Sequence, residues 1–210
     1  MSRKVKASVK KRGSSREPNR LVRADAQRNL ESLLRAALAV FEKSGVAAPV
    51  REIAEKAGVG VGTLYRHFPE RSDLIKAVVR QEIDACAEAA SLFGSEHEPG
   101  EALARWMQRL VDLIATKRGL ATALHSGNST YQSLPEYFLT HLTPALKNLL
   151  DAARAAGAIR AGVDAGELLL AGARLATPAS EGDAAQARRM VALLVDGLRY
   201  GAGVPAKTGR

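Results

Sequence analysis

From Leu30 onwards the apolar residues of this chain recur every three or four positions, and they alternate nowhere over a useful length. Spacing of three and four lines one stripe of an α-helix, whereas a half-buried strand needs a period of two. The sequence therefore predicts an all-α fold. Leu30, Leu33, Leu34, Ala37, Leu38 and Phe41 form the first stripe, which Gly45 stops. A second helix covers 50–57, and Gly58-Val59-Gly60 separates it from a short third one over 61–68. Ser72 or Asp73 is expected to cap a fourth helix carrying Leu74, Ile75, Val78, Val79 and Ile83. Gly94 to Gly100 reads as a loop. Beyond it come a stripe of Leu103, Trp106, Met107, Leu110, Leu113 and Ile114, a short helix over 119–125 and a loop over 127–130. Pro135 and Pro144 each suit a helix start, with Thr143 as the cap for the second. Asp164 and Asp183 are the expected caps of two final helices, 165–176 and 184–200.

Composition narrows the class. Apolar residues at 46% and charged residues at 25% are those of a folded domain. Cys86 is the single cysteine, so an intrachain disulfide and a Cys-based zinc site are both excluded. No apolar run approaches the ~18 residues of a membrane helix. The basic N-terminus has no apolar segment behind it, so it is not a secretory signal. A cytoplasmic protein with no membrane partner is the expectation.

The net charge of +9 is unevenly spread: residues 1–23 carry +8, residues 24–80 carry +2, and residues 81–210 carry −1. Residues 1–20 also lack periodicity and large apolar side chains, which predicts a disordered basic arm. A basic front on a neutral body points to a polyanion that meets the front alone. The plainer alternative is a solubilising tail.

Residues 50–68 read as helix, glycine-bearing turn, helix, the layout that carries a reading helix into a DNA major groove. On a helical wheel Leu64 and Phe68 point together, toward Ile53, Ala54 and Val59. Gly62 and Arg66 point the opposite way, with Thr63 on one shoulder and Tyr65 and His67 on the flanks. The centre line would face base edges and the flanks phosphates. Gly62 lets the backbone come close, and Arg66 can donate a bidentate pair to guanine O6 and N7. Tyr65, Thr63, His67 and Arg71 are phosphate donors in this reading.

The run Val50-Arg-Glu-Ile-Ala-Glu-Lys-Ala-Gly-Val-Gly-Val-Gly-Thr-Leu-Tyr-Arg-His-Phe-Pro-Glu-Arg-Ser-Asp-Leu74 closely resembles the DNA-binding signature of the TetR family of bacterial repressors. The resemblance covers residues 24–80; residues 81–210 match only in outline. It implies a three-helix helix-turn-helix DNA-binding domain over 21–72, after the arm of 1–20, and a helical effector-binding and dimerisation domain over 73–210. It also implies that Arg51 reaches a base and that Val61, Gly62, Thr63 and Arg66 face the groove. Thr63, Tyr65, His67 and Arg71 would touch phosphates. One departure is clear: the family commonly has Thr or Ser before the second helix, and here the residues are Ala47-Ala48-Pro49. The basic arm, lying along phosphates or in the minor groove, would compensate.

The resemblance further implies a homodimer on a near-palindromic double-stranded operator, paired through the last two helices. Leu168, Leu169, Ala171, Gly172 and Leu175 on one, with Met190, Val191, Leu194, Val195, Gly197 and Leu198 on the other, would supply the faces; an intrachain core is the alternative. An effector pocket is implied among the middle helices. Its candidate lining is Phe93, Trp106, Met107, Leu110, His125, Tyr131, Tyr137, Phe138 and His141. No charged residue stands out in that set, so a small, largely apolar effector is expected.

Other motifs carry less. Gly58-Val59-Gly60-Val61-Gly62 follows a helix and lacks the third glycine of a dinucleotide loop. The four histidines are scattered, and Glu96-His97-Glu98 fits a solvated loop, so no metal or other cofactor is expected. His125-Ser126 has no partner acid for a triad. Cys86 sits on an apolar face and reads as core. Three functions stay in play: a ligand-responsive regulator (repressor or activator, according to where its operator lies), an architectural DNA-binding protein, and an all-α enzyme. The last lacks any assembled pair of titratable groups.

Overall fold

The computed structural model describes residues 17–120, 129–177 and 184–200; side chains are described from Arg28 onwards and, within that range, not for 116–119. The described residues form eight α-helices and one 3₁₀ turn, with no strand: α1 Glu17–Ser44, α2 Val50–Ala57, α3 Val61–His67, α4 Arg71–Glu96, α5 Pro99–Gly119, the turn Ser129–Tyr131, α6 Leu134–Ala155, α7 Ala165–Leu175 and α8 Ala184–Arg199. The all-α expectation holds. The expected helix over 119–125, the Asp183 cap and most of the basic arm fall outside the described residues.

One continuous apolar core runs through the chain. Its front part joins Leu33, Ala37, Val40 and Phe41 of α1 to Ile53 and Ala54 of α2, Leu64 of α3, and Leu74 and Ile75 of α4. The same α4 continues rearward, burying Val79, Ile83, Cys86 and Ala90 against α5 and α6. The Trp106 indole N–H donates to the Cys86 carbonyl at 2.8 Å, which satisfies the polar edge of a ring with no exposed surface. Thus α4 belongs to both halves of the molecule.

Five local expectations are corrected. First, α1 begins at Glu17, inside the segment expected to be a disordered arm. Pro18 then falls in the first turn, where its missing N–H has no intrahelical partner to lose. Second, α4 runs on to Glu96 and α5 starts at Pro99, leaving only 97–98 of the loop expected over 94–100. Third, α4 starts after Glu70 with no side-chain cap; Ser72 and Asp73 are its second and third residues, inside the first turn, and Ser72 is buried. Fourth, Pro144 lies inside α6 instead of starting a helix. An internal proline costs roughly 3 kcal/mol. Leu142, Leu146, Leu149 and Leu150 are buried on either side of it, and each buried leucine stabilises by about 1.5–3 kcal/mol, so the continuous helix wins.

The fifth correction concerns α7 and α8. Leu168, Leu169 and Gly172 of α7, with Val191, Val195 and Leu198 of α8, are buried within the chain. The small residue Gly172 serves a contact with α5, where an added Cβ would lie 2.7 Å from Met107 Cε. The outward apolar set is instead Leu170, Met190 and Leu193 at 44%, 40% and 67% exposure, with Ala171, Leu175 and Leu194 half-buried. Both faces of α8 are apolar, so periodicity alone does not say which one the chain keeps for itself.

The Asp164 cap is as expected: its Oδ1 accepts the Glu167 backbone N–H at 2.9 Å. Asp164→Ala should lower stability by about 1 kcal/mol. Urea denaturation at fixed protein concentration should then show a lower midpoint with an unchanged m-value.

Candidate functional site

The α2–α3 unit is set by its turn. Gly58 takes φ +70°, with its N–H on the Glu55 carbonyl at 3.1 Å, and Val59 N–H returns to the Ala54 carbonyl at 3.0 Å. This paired closure needs a left-handed residue, and glycine adopts that conformation without a Cβ clash. Gly60 is extended, its carbonyl accepts from Thr63 N–H at 2.9 Å, and α3 begins. Leu64, 1% exposed, fixes the inner side of α3, and Phe68 packs half-buried beside it.

With that side anchored, Val61, Gly62, Tyr65, Arg66 and His67 face solvent, and Thr63 is half-buried. A Cβ built on Gly62 meets nothing within 4 Å, so the backbone there is open to an approaching surface. Arg66 lies back along its own helix, donating through Nε to the Gly62 carbonyl at 3.3 Å and through Nη2 to Thr63 Oγ1 at 3.0 Å. Arg51, on the outer side of α2, pairs with Glu55 at 2.8 Å. Both side chains of that pair are well exposed, and such pairs contribute only ~0.2–1 kcal/mol, so a stronger partner can displace Glu55.

Arg71 is placed differently from the expectation. Its guanidinium points into the α1–α2 connection, where Nη1 donates to the Val46 carbonyl and Nη2 to the Ala48 carbonyl, the latter at 2.6 Å. It is not among the exposed side chains of this face. The connection it holds leads to Pro49, which precedes α2 with no side-chain cap.

Of the nine candidate effector residues, the eight that the structure describes are divided between the core and two clefts. Trp106, Met107 and Leu110 have no exposed surface, and Tyr131 and Phe138 are buried; all five are core. His125 lies outside the described residues. Phe93 lines a cleft of about 490 Å³ with Arg105, Gln108, Arg109, Asp112 and Asp196. Tyr137 lines a second cleft of about 520 Å³ between α1 and α4, with Glu31, Arg35, Arg80, Asp84 and Glu88. The Tyr137 hydroxyl donates to the Asp84 carboxylate, 2.8 and 2.9 Å from its two oxygens. The Arg80 guanidinium lies 4.5 Å over the centre of the Tyr137 ring, and His141 stacks on the ring at 3.7 Å. Burial, then the hydrogen bond and charge of Asp84, raise the phenol's pKa above its usual value, while Arg80 opposes them. Charged groups thus line this second cleft beside the apolar ones. Its charged members come from α1 and α4, spaced along those helices as a solvated face would be, and only packing turns them into a wall. Among the described residues no three His, Cys, Asp or Glu side chains gather as a metal site, and no helix is long and apolar enough to cross a membrane.

Comparison with known proteins gives two family matches. Residues 33–78 match bacterial regulatory proteins of the tetR family, and residues 98–200 match the C-terminal domain of SbtR-like transcriptional regulators. A TetR transcriptional regulator of Streptomyces coelicolor is 38% identical, with a TM-score of 0.69, over 80% of this chain and 97% of its own. A TetR regulatory protein of Mycobacterium vanbaalenii is 34% identical, with a TM-score of 0.64, over 85% of this chain and 99% of its own. An HTH-type transcriptional regulator of Staphylococcus aureus is 28% identical over 117 residues, 53% of this chain, and the chain spans only 63% of that relative's length. These relatives are regulators and not enzymes. The chain belongs to the TetR family of transcriptional regulators.

Proposed function

We propose that this protein is a dimeric repressor that binds a palindromic operator through α3 and leaves it when a small effector binds behind the reading helices. The observation that carries the reading is the split of α3: Leu64 is locked into the core while Val61, Gly62 and Arg66 are presented outward over open space. A single seven-residue helix reads few base pairs, so two copies are needed, and the outward apolar side of α7 and α8 is the natural surface for pairing them.

For the effector, the cleft between α1 and α4 is favoured over the first. Its walls come from a helix of the front unit and from the helix shared by both halves, so an occupant contacts each. A ligand that prefers one arrangement of α1 on α4 shifts the populations and hence the spacing of the two reading helices. The sequence suggests a largely apolar effector. The walls of this cleft, with Arg80 Nε and Gln81 Oε1 buried without partners, favour one that also carries a hydrogen-bond acceptor and a donor.

Selection of bound sites from random duplexes tests the function. The expected product is a palindrome whose half-sites lie about 34–36 Å apart, one helical turn. Equal retention of every duplex would favour the architectural alternative and remove the repressor reading.

A further inference from the structure

We propose that Arg71 is a positioning residue for DNA reading, acting through the α1–α2 connection and not through a phosphate. The inference rests on the DNA-binding function above. Both terminal nitrogens of its guanidinium donate to chain carbonyls, those of Val46 and Ala48. A guanidinium holds two donors in a fixed planar fork, which suits two carbonyls two residues apart in one turn. These bonds turn the guanidinium toward the connection, and Arg71 is not among the exposed side chains of the reading face.

What the fork holds matters for α2 and α3. The connection runs from Gly45, through Ala48 N–H on the Gly45 carbonyl at 3.1 Å, to Pro49. Pro49 brings no N–H of its own and supplies no side-chain cap, so the start of α2 lacks the hydroxyl that usually fixes such a terminus. Arg71, the first residue of α4, supplies the tie from the other side, with Ala48 buried beneath it. The tie joins the entry of α2 to the exit of α3, since Arg71 lies four residues after His67. The two ends of the reading unit are thereby held to each other, and the outward side of α3 keeps a fixed angle to the body of the protein.

Positioning and phosphate contact predict opposite behaviour for a charge-keeping variant. Lysine can meet a phosphate as a point charge, but it cannot span two carbonyls with a planar fork. Arg71→Lys and Arg71→Ala, as full-length chains, should each bind the selected duplex at least about tenfold more weakly, the scale of losing a pair of charge-assisted hydrogen bonds. The slope of log affinity against log salt should match the wild type in both. The loss should lie in the affinity of the active fraction, measured well below the melting temperature, so that partial unfolding is not read as weak binding. Amide hydrogen exchange without DNA should quicken over 46–52 in both variants and stay unchanged in α5 and α6. Wild-type affinity in Arg71→Lys overturns the inference. So does a slope shallower by about 1.8 in Arg71→Ala, the signature of one lost phosphate contact in each of two subunits. A wild type that selects no duplex overturns the DNA-binding function and this inference together, whereas a selective wild type with an indifferent Arg71→Lys overturns this inference alone.

Discussion

Arg66→Ala should lose about 1–3 kcal/mol of discrimination at one base pair of each half-site, roughly 5- to 150-fold per half-site, while its affinity for unrelated duplex changes little. In the free protein Arg66 makes only local contacts, to the carbonyl of Gly62 and the hydroxyl of Thr63, both on an exposed helix. Water replaces such contacts at small net cost. In a groove the same fork meets a guanine edge with two parallel donors, and nothing else on α3 reproduces that geometry. Leu64 and Phe68 hold the helix without help from Arg66, so the variant should keep its fold and melting temperature within about 0.5 kcal/mol of stability, the usual range for a surface substitution. Competitive binding against duplexes substituted singly at each position reads the effect. Arg66→Lys keeps the charge and loses the fork, so it should keep non-specific affinity and still lose the base preference. If Arg66→Ala selects the same sequence as the wild type, the outward side of α3 is not the side that reads bases.

The sequence revealed this side of the molecule because its determinants are local. The turn closes with bonds from Gly58 and Val59 to carbonyls three and five positions back, and Leu64 and Phe68 are one helical turn apart. Such relations survive in a linear string. Arg71 does not belong to them, since its acceptors lie 25 and 23 residues earlier and only the folded chain brings them near. Pro144 misled for a related reason: its local signal starts a helix, but the leucines on both sides are buried by neighbouring helices and outweigh it. The cleft beside Tyr137 was illegible because its wall is assembled from α1 and α4, which supply the charges, and from Tyr137 of α6, and each helix alone looks like an ordinary amphipathic one. On α8 the sequence does give two apolar stripes. Which of them faces the chain is decided by α5, against which α8 packs.

That second stripe sets the largest expected effect of all. Met190, Leu193, Leu194 and Gly197 lie three and four residues apart on α8, and Leu193 is 67% exposed in the single chain. A two-fold pairing makes every residue near the axis meet its own copy or a close neighbour. Leu193→Asp would therefore bring two carboxylates into one apolar contact, where removing such charges from water costs several kcal/mol each; Arg189, one turn earlier on the same helix, offsets only part of that. Within one subunit the same change is a surface substitution and should be nearly silent in stability. The expected protein is a folded monomer in sedimentation equilibrium. A monomer reads one half-site per binding event, so affinity for the full palindrome should drop by more than about a hundredfold, the gain that linkage of two binding units ordinarily brings. Leu193→Ala removes apolar area without adding charge and should weaken the dimer less. Should Leu193→Asp remain a dimer with full affinity for the palindrome, the subunits pair through some other face.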